Sequence, residues 1–489
     1  MQSLDYRSPS LPMALVPIIA TLAILGLQIF YFGNFTPHIP LAIGIAITAV
    51  VGRLNGLGWL DIRAGMFKVI NVSLPAIGVL FMVGMIIATW IASGTVPTLI
   101  YYGLNMLSPS VFLFAAMILC AIVSVALGTS WGTVGTVGLA LMGIGSGFGI
   151  PVYWTAGAIV SGAFFGDKVS PLSDTTNLAS SVCGVDIFSH IRNLIPSTIP
   201  AMMLAGLVYL YVGFAMIDDS TIAFDRIETI TASLEANFQI SLIFLLPPLL
   251  VMVLAIRRYP PIPSLFAGVI AGAVLAMVFQ GETLKALFTF PADGYEISTG
   301  VIEVDKLLNR GGLQSMMWTV SLILFAISLG GALERTGCLE TVMKALIGRV
   351  RGFAMVHLSA VLASLTTNAV AGDPYLSVAL PGRMFAPVYR GMRYSTLNLS
   401  RAIEEGGTLM SPLIPWNAGG AYVIAALGLA TVDNLDYLLY IPASVACWSA
   451  PLIGTAYAAL GIYSPRASEE EVAQWASDDD AIMLIAETS

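Results

Sequence analysis

Apolar stretches recur along the chain, too long and too numerous for the core of one globular domain. A helix that spans a bilayer needs about 20 mostly apolar residues. Windows 11–32, 70–93, 109–128, 195–217, 238–256, 261–280, 315–334 and 436–461 meet that requirement. Segments 38–52 and 374–389 are shorter and read as half-helices. The pattern predicts an all-α, polytopic transmembrane bundle of roughly 10 to 13 helical segments.

Two of the apolar regions are interrupted by polar and helix-breaking residues. The first reads Gly128-Thr129-Ser130-Trp131-Gly132-Thr133 and the second Ala371-Gly372-Asp373-Pro374. Irregular backbone is tolerated at membrane depth only where protein buries it or where it lines a cavity. Freed carbonyls, hydroxyls and carboxylates are hard oxygen ligands suited to small cations. A Gly/Ser/Thr face for helix packing is the alternative. It suits Gly143, Gly145, Gly147 and Gly149 better than a phosphate loop does, because no strand precedes them.

A short repeat links the two regions. Ser170-Pro171-Leu172 with Asn177 matches Ser411-Pro412-Leu413 with Asn417, at an offset of about 241 residues. The charge pattern gives the two copies opposite directions. The loop 94–108 after the first copy's leading helix has no Lys or Arg, whereas 335–352 holds Arg335, Lys344, Arg349 and Arg351. Basic residues in short loops favour the cytoplasmic side. Arg53, Arg63, Lys68, Arg257 and Arg258 then place the N-terminus in the cytoplasm, against the loop 281–314 with Lys285, Lys306 and Arg310. Inverted repeats with a site between them mark secondary transporters.

Composition agrees. Of 489 residues, 57% are hydrophobic and 10% charged, against about 25% charged in a soluble domain. The net charge of −8 comes partly from an acidic loop, 218–237, and an acidic tail after Arg466, both read as solvated ends. Nucleic acid is not an expected partner. Cys120, Cys183, Cys338 and Cys447 are scattered without metal or disulfide spacing. The first apolar stretch lacks a following cleavage pattern and reads as a retained helix.

Ionisable residues inside spans are functional candidates because burying them is costly. Asp167, Asp174, Asp373, Glu404 and Glu405 qualify. Burial favours the protonated form of a carboxylate and a nearby cation the charged form, so one buried Asp can hold either a proton or Na⁺. The competing role is a salt bridge: Asp167 with Lys168 or Arg192, Glu404 with Arg401 or Arg383. His38, His190 and His357 read as interfacial, loop or packing residues. Gly128-Thr129-Ser130-Trp131-Gly132 fits G-x-S-x-G, but that motif needs a strand-to-helix elbow. Gly166-Asp167 and Gly372-Asp373 share a Gly-Asp pair with intramembrane aspartyl proteases, without their fuller motifs. Neither HExxH nor a Walker sequence occurs, and an enzyme is not the expectation.

The run Phe165-Gly166-Asp167-Lys168-Val169-Ser170-Pro171-Leu172-Ser173-Asp174-Thr175-Thr176-Asn177-Leu178 resembles the NhaC family of Na⁺/H⁺ antiporters. Gly128 to Thr133, Asp186 with His190-Ile191-Arg192, Gly372-Asp373 with Tyr375-Leu376, and Pro381 to Phe385 are similar to it as well. So are Leu399-Ser400-Arg401 and Gly407-Thr408 leading to Ser411-Pro412-Leu413-Ile414-Pro415-Trp416-Asn417. The resemblance covers about residues 60–460. The chain departs from the family pattern at Pro374, Glu405 and Ala418-Gly419, which removes oxygen ligands from the second half.

The resemblance implies a prokaryotic plasma (inner) membrane exchanger of Na⁺, and of Li⁺, for H⁺, serving pH homeostasis. It leaves open an exchanger of small organic anions, since some relatives exchange malate with protons for lactate with Na⁺. It also leaves room for a homodimer in the lipid bilayer. No cofactor is expected. Ion or proton binding is expected of Asp174 as the main shared site, with Asp373, Asp167, Ser130, Thr133, Ser173, Thr176, Asn177, Glu404, Glu405 and Asn417. Na⁺ itself is expected on Asp174, Ser130, Asn177 and Asp373. The expected organisation is N-terminal helices over 1–60, a first repeat over 61–217 and linking loops and helices over 218–310. A second, inverted repeat over 311–465 and an acidic tail over 466–489 complete it.

Overall fold

Left-handed glycines end several of the helices, and prolines open others. The computed structural model describes residues 6–33, 36–215, 220–348, 350–429, 435–473 and 475. Among them seven helices are long and apolar enough to cross a membrane, or nine if each of two bent pairs is one span. The isolated bridge Tyr394–Arg466 is the one strand-like pairing among the described residues.

The chain opens with α1 (Leu11–Gly26) and α2 (His38–Leu54). The next run is α3 (Trp59–Ala92), α4 (Thr95–Met106), α5 (Pro109–Leu127), α6 (Ser130–Thr133), α7 (Leu139–Gly147), α8 (Val152–Lys168), α9 (Asp174–Cys183) and α10 (Ile187–Ala215). Linking helices follow: α11 (Ser220–Asn237), α12 (Leu246–Ile256), α13 (Pro261–Phe279), α14 (Ala286–Asp293) and α15 (Ile302–Leu308). The second run is α16 (Met317–Arg335), α17 (Cys338–Ile347), α18 (Phe353–Ala371), α19 (Pro374–Gly391), α20 (Leu397–Ile403), α21 (Ala418–Ala426), α22 (Tyr440–Ala443) and α23 (Val445–Leu460).

The two runs repeat one plan. Gly94 and Gly337, both left-handed, precede α4 and α17 (φ 81° and 72°). α5 and α18 each have 19 residues and end on a left-handed glycine, Gly128 or Gly372. Extended Thr129 and Asp373 then cap the next helix, accepting from the amides of Gly132 and Leu376. Both breaks fall in the interrupted sequence regions. An amide three residues into a helix has no intrahelical acceptor, and such a cap supplies one.

Three expectations change. The predicted acidic loop 218–237 is helical from Ser220; Asp218 and Asp219 lie outside the described residues. The predicted span 238–256 is instead the second arm of a pair, Asp225–Asn237 with Leu242–Ile256, bent by 93°. The helix expected over 70–93 begins at Trp59, because Asp61 caps its first turn through the Gly58 amide at 3.1 Å. Arg349 and the tail residues Asp478, Asp479, Asp480 and Glu487 also lie outside the described residues. The four cysteines are free and buried.

Candidate functional site

The breaks bring the two runs together around one cavity. α8 packs closely on α5, where glycine permits it. A Cβ on Gly162 would meet the Met117 carbonyl at 2.1 Å, and one on Gly166 the Ala121 carbonyl at 2.4 Å. The Ser124 hydroxyl donates to the Ala163 carbonyl at 2.6 Å across the same seam. Asp167 is thereby fixed at the end of α8, opposite the start of α6. Its Oδ2 accepts from the Ser130 hydroxyl at 2.7 Å. Its Oδ1 has no hydrogen-bond partner although the residue is 3% exposed.

The cavity, of about 620 Å³, is lined by Ser130, Asp167, Asp174 and Thr175 from the first run and by Tyr375 and Thr408 from the second. Asp174 opens α9 and is exposed. Its Oδ1 accepts from the Thr175 amide at 2.9 Å and its Oδ2 from the Tyr375 hydroxyl at 2.5 Å. That second bond joins the two runs. A matching contact lies on the other side, where Trp131 stacks on Tyr422 at 4.4 Å between centroids. The Tyr422 hydroxyl donates to the Trp131 carbonyl. Arg258, also on the lining, holds a left-handed backbone at φ 62°.

The other sequence candidates stand apart from this cavity. Asp373 accepts from the Leu376 amide at 2.7 Å and the Ser73 hydroxyl at 2.8 Å, so both oxygens are engaged in holding α19 to α3. Asn417 caps α21, accepting from the Gly419 amide at 2.9 Å and the Ser411 hydroxyl at 2.6 Å. Its amide nitrogen donates to Asn368. Asn177 is exposed and donates to the carbonyls of Pro171 and Ser173. Ser173 caps α9, Thr133 bonds back to the Thr129 carbonyl, and Thr176 donates to the carbonyls of Asp167 and Lys168. These are structural bonds that tie the breaks.

Glu404 and Glu405 lie outside the cavity in a π-helical segment, Glu404–Thr408. The salt-bridge expectation is redirected: Lys168 pairs with Glu405 at 3.3 Å rather than with Asp167, both side chains fully buried. Glu404 pairs with neither Arg401 nor Arg383. Arg401 donates to the Tyr463 carbonyl at 2.9 Å, and Arg383 lies 3.8 Å from Glu334. Sequence reasoning missed Ser73 and Ser197, and named Thr408 only within the family resemblance. A hydroxyl in an apolar span gives a weak signal, because Ser and Thr also pack helices and bond back to their own backbone.

The model of the Na⁺/H⁺ antiporter family matches residues 162–462. The Na(+)/H(+) antiporter NhaC of Alkalihalophilus pseudofirmus is 40% identical over 406 residues, 83% of this chain and 87% of the relative. The Malate-2H(+)/Na(+)-lactate antiporter of Bacillus subtilis is 37% identical, covering 89% of this chain and 92% of the relative. The Arginine/ornithine antiporter ArcD of Halobacterium salinarum is 37% identical, covering 88% of this chain and 89% of the relative. The matched residues run from α8 through the second break and take in both Asp167 and Asp174. This multi-pass membrane protein belongs to the Na⁺/H⁺ antiporter family.

Proposed function

We propose that the chain exchanges Na⁺ for H⁺ across a prokaryotic plasma membrane by alternating access, with its N-terminus in the cytoplasm. One observation carries the reading. A cavity walled by both runs and by the turn between α12 and α13 presents a buried carboxylate, Asp167, with one oxygen bonded to Ser130 and the other unpartnered. A carboxylate in that setting accepts either a proton or a hard cation, and binding one excludes the other. Asp174 and Ser130 supply further oxygen from the same wall. The geometry favours Asp167 over Asp174 as the shared site, because both oxygens of Asp174 already accept hydrogen bonds. Asp373 is assigned to capping and Asn177 to the loop before α9.

The test is Na⁺ flux into proteoliposomes under an imposed pH gradient, in chloride medium. Flux should proceed with no organic anion present. It should slow at acid pH, where protons occupy the carboxylates that Na⁺ needs. An exchanger of small carboxylates or amino acids is the second reading. It is favoured by the cavity's size, far above that of an ion, and by Arg258 on its lining. Strict dependence of flux on added malate, lactate or an amino acid would establish that reading instead.

A further inference from the structure

One residue past Asp167, Lys168 turns away from the cavity into a second group of polar side chains. Its ammonium lies 3.3 Å from Glu405 Oε1, which also accepts from the Ser197 hydroxyl at 2.5 Å. Lys168, Ser197, Glu404 and Glu405 are all fully buried. Neither carboxyl oxygen of Glu404 has a hydrogen-bond partner. Buried polar groups are rarely left unsatisfied, and each exception asks for a reason. The π-helical backbone at Glu404–Thr408 is a second departure from regular structure at the same place, and such bulges gather at functional sites.

Charge decides the state of Glu404. The groups that reach it are the Lys168 ammonium, the carboxylates of Asp167 and Asp174, and the nearby Thr408 hydroxyl. Lys168 is already paired with Glu405. Arg401, earlier on the same run of helix, gives one nitrogen to the Tyr463 carbonyl, and its other two nitrogens bond neither Glu404 nor any other group. From α19, Arg383 faces Glu334 and Arg390 lies over the Trp475 ring. The other titratable groups on the packed helices are Tyr153 of α8, Cys183 of α9, Tyr375 of α19, which bonds Asp174, Tyr389 of α19, Cys447 and Tyr457 of α23, and two bonded histidines. His190 of α10 bonds Ser400, and His357 of α18 bonds Tyr389. An ionised Glu404 would be a buried charge with no ion-pair partner of its own, a state that burial strongly disfavours.

We propose that Glu404 is a second proton-binding site of the exchanger, separate from the cavity that takes the cation. The proposal rests on the Na⁺/H⁺ exchange argued above. In the conformation seen, Glu404 holds its proton as a neutral carboxyl. Lys168 belongs to the first run and Glu405 to the second, so any relative movement of the two acts on this pair. When movement opens the seam to water on one side, the O–H bond of Glu404 breaks and the proton leaves to that water. The exchanger then moves one more proton per Na⁺ than the cavity alone accounts for.

The experiment uses the purified full chain in liposomes, with membrane potential clamped by K⁺ and valinomycin and a known pH gradient imposed. Each proton exchanged per Na⁺ supports about a tenfold Na⁺ gradient per pH unit. Glu404→Gln keeps the side chain's size and fixes its neutral form. The variant should fold with undiminished thermal stability and retain Na⁺/Na⁺ counterflow. Its equilibrium Na⁺ gradient should be about tenfold smaller per pH unit than that of the wild type. A gradient equal to the wild type's would overturn the proposal. So would loss of counterflow in a folded variant, which would place Glu404 in the cation site, or failure to fold, which would show that the fold needs the charge. A wild-type protein that supports no Na⁺ gradient would sink the exchange reading itself, whatever the variant does.

Discussion

Asp167 and Asp174 line one cavity but are held differently, and the roles proposed for them rest on that difference. Asp167 is buried with an unpartnered oxygen, whereas Asp174 is exposed with both oxygens engaged. Asp167→Asn removes the only charge at the end of α8 that faces the cavity, while an amide still accepts from Ser130. Na⁺-dependent proton flux should fall to background with membrane insertion and thermal stability unchanged. Near-normal flux in that variant would move the shared site to Asp174. Ser130→Ala deletes one neutral oxygen and the bond to Asp167, while the charge stays. A hydrogen bond to a charged group is worth about 1.5–3 kcal/mol. The KM for Na⁺ should rise about tenfold or more, with kcat little altered. An unchanged KM would leave Ser130 a packing residue of the first break.

At the scale of elements, the site depends on how close two helices can come. Gly162 and Gly166 let the backbone of α5 lie against α8, with no room for a Cβ at either position. Gly166→Leu should force the helices apart, at a cost of about 1–3 kcal/mol or more for overpacking. It should also displace Asp167, one residue on, from Ser130. The check is the melting temperature of the purified variant together with its Na⁺ flux. Both should fall, and a stable, active variant would show that the close approach is incidental. The two breaks were legible because Gly-Thr-Ser and Gly-Asp-Pro carry local chemistry: a left-handed glycine followed by a residue that caps the next helix. The sequence does not reveal which carboxylate meets Lys168. Neighbours in the chain made Asp167 the obvious partner, but successive residues on a helix point in different directions. The helix from Ser220 and the 93° bend after it were missed for a related reason: acidic residues mark solvent contact in helix and loop alike.

Across the described residues, the runs α3–α10 and α16–α23 repeat one plan, and residues of both line the cavity. The cross-contacts repeat as the elements do. Trp131, just after the first break, reaches Tyr422 of the second run, and Tyr375, just after the second break, reaches Asp174 of the first. Trp131 and Tyr375 each stand three residues past the left-handed glycine of their break, as a repeat predicts, while their partners differ in position and chemistry. The basic residues predict how an axis relating the two runs would lie. The helix after Gly94 carries no Lys or Arg, and the helix after Gly337 carries Lys344, paired with Glu340 at 2.6 Å. Basic segments stay cytoplasmic, so equivalent helices α4 and α17 should face opposite sides. Asn105 and Lys344 are both exposed and sit on these two helices. All four native cysteines are buried, out of reach of an impermeant reagent, and the protein without an added cysteine serves as the control. A single cysteine at position 105 should react with an impermeant maleimide added outside intact cells. One at position 344 should react only after the membrane is opened. Reaction of both from the same side would rule out inversion and require parallel repeats. Alternating access would then need an axis along the membrane normal rather than one lying in its plane.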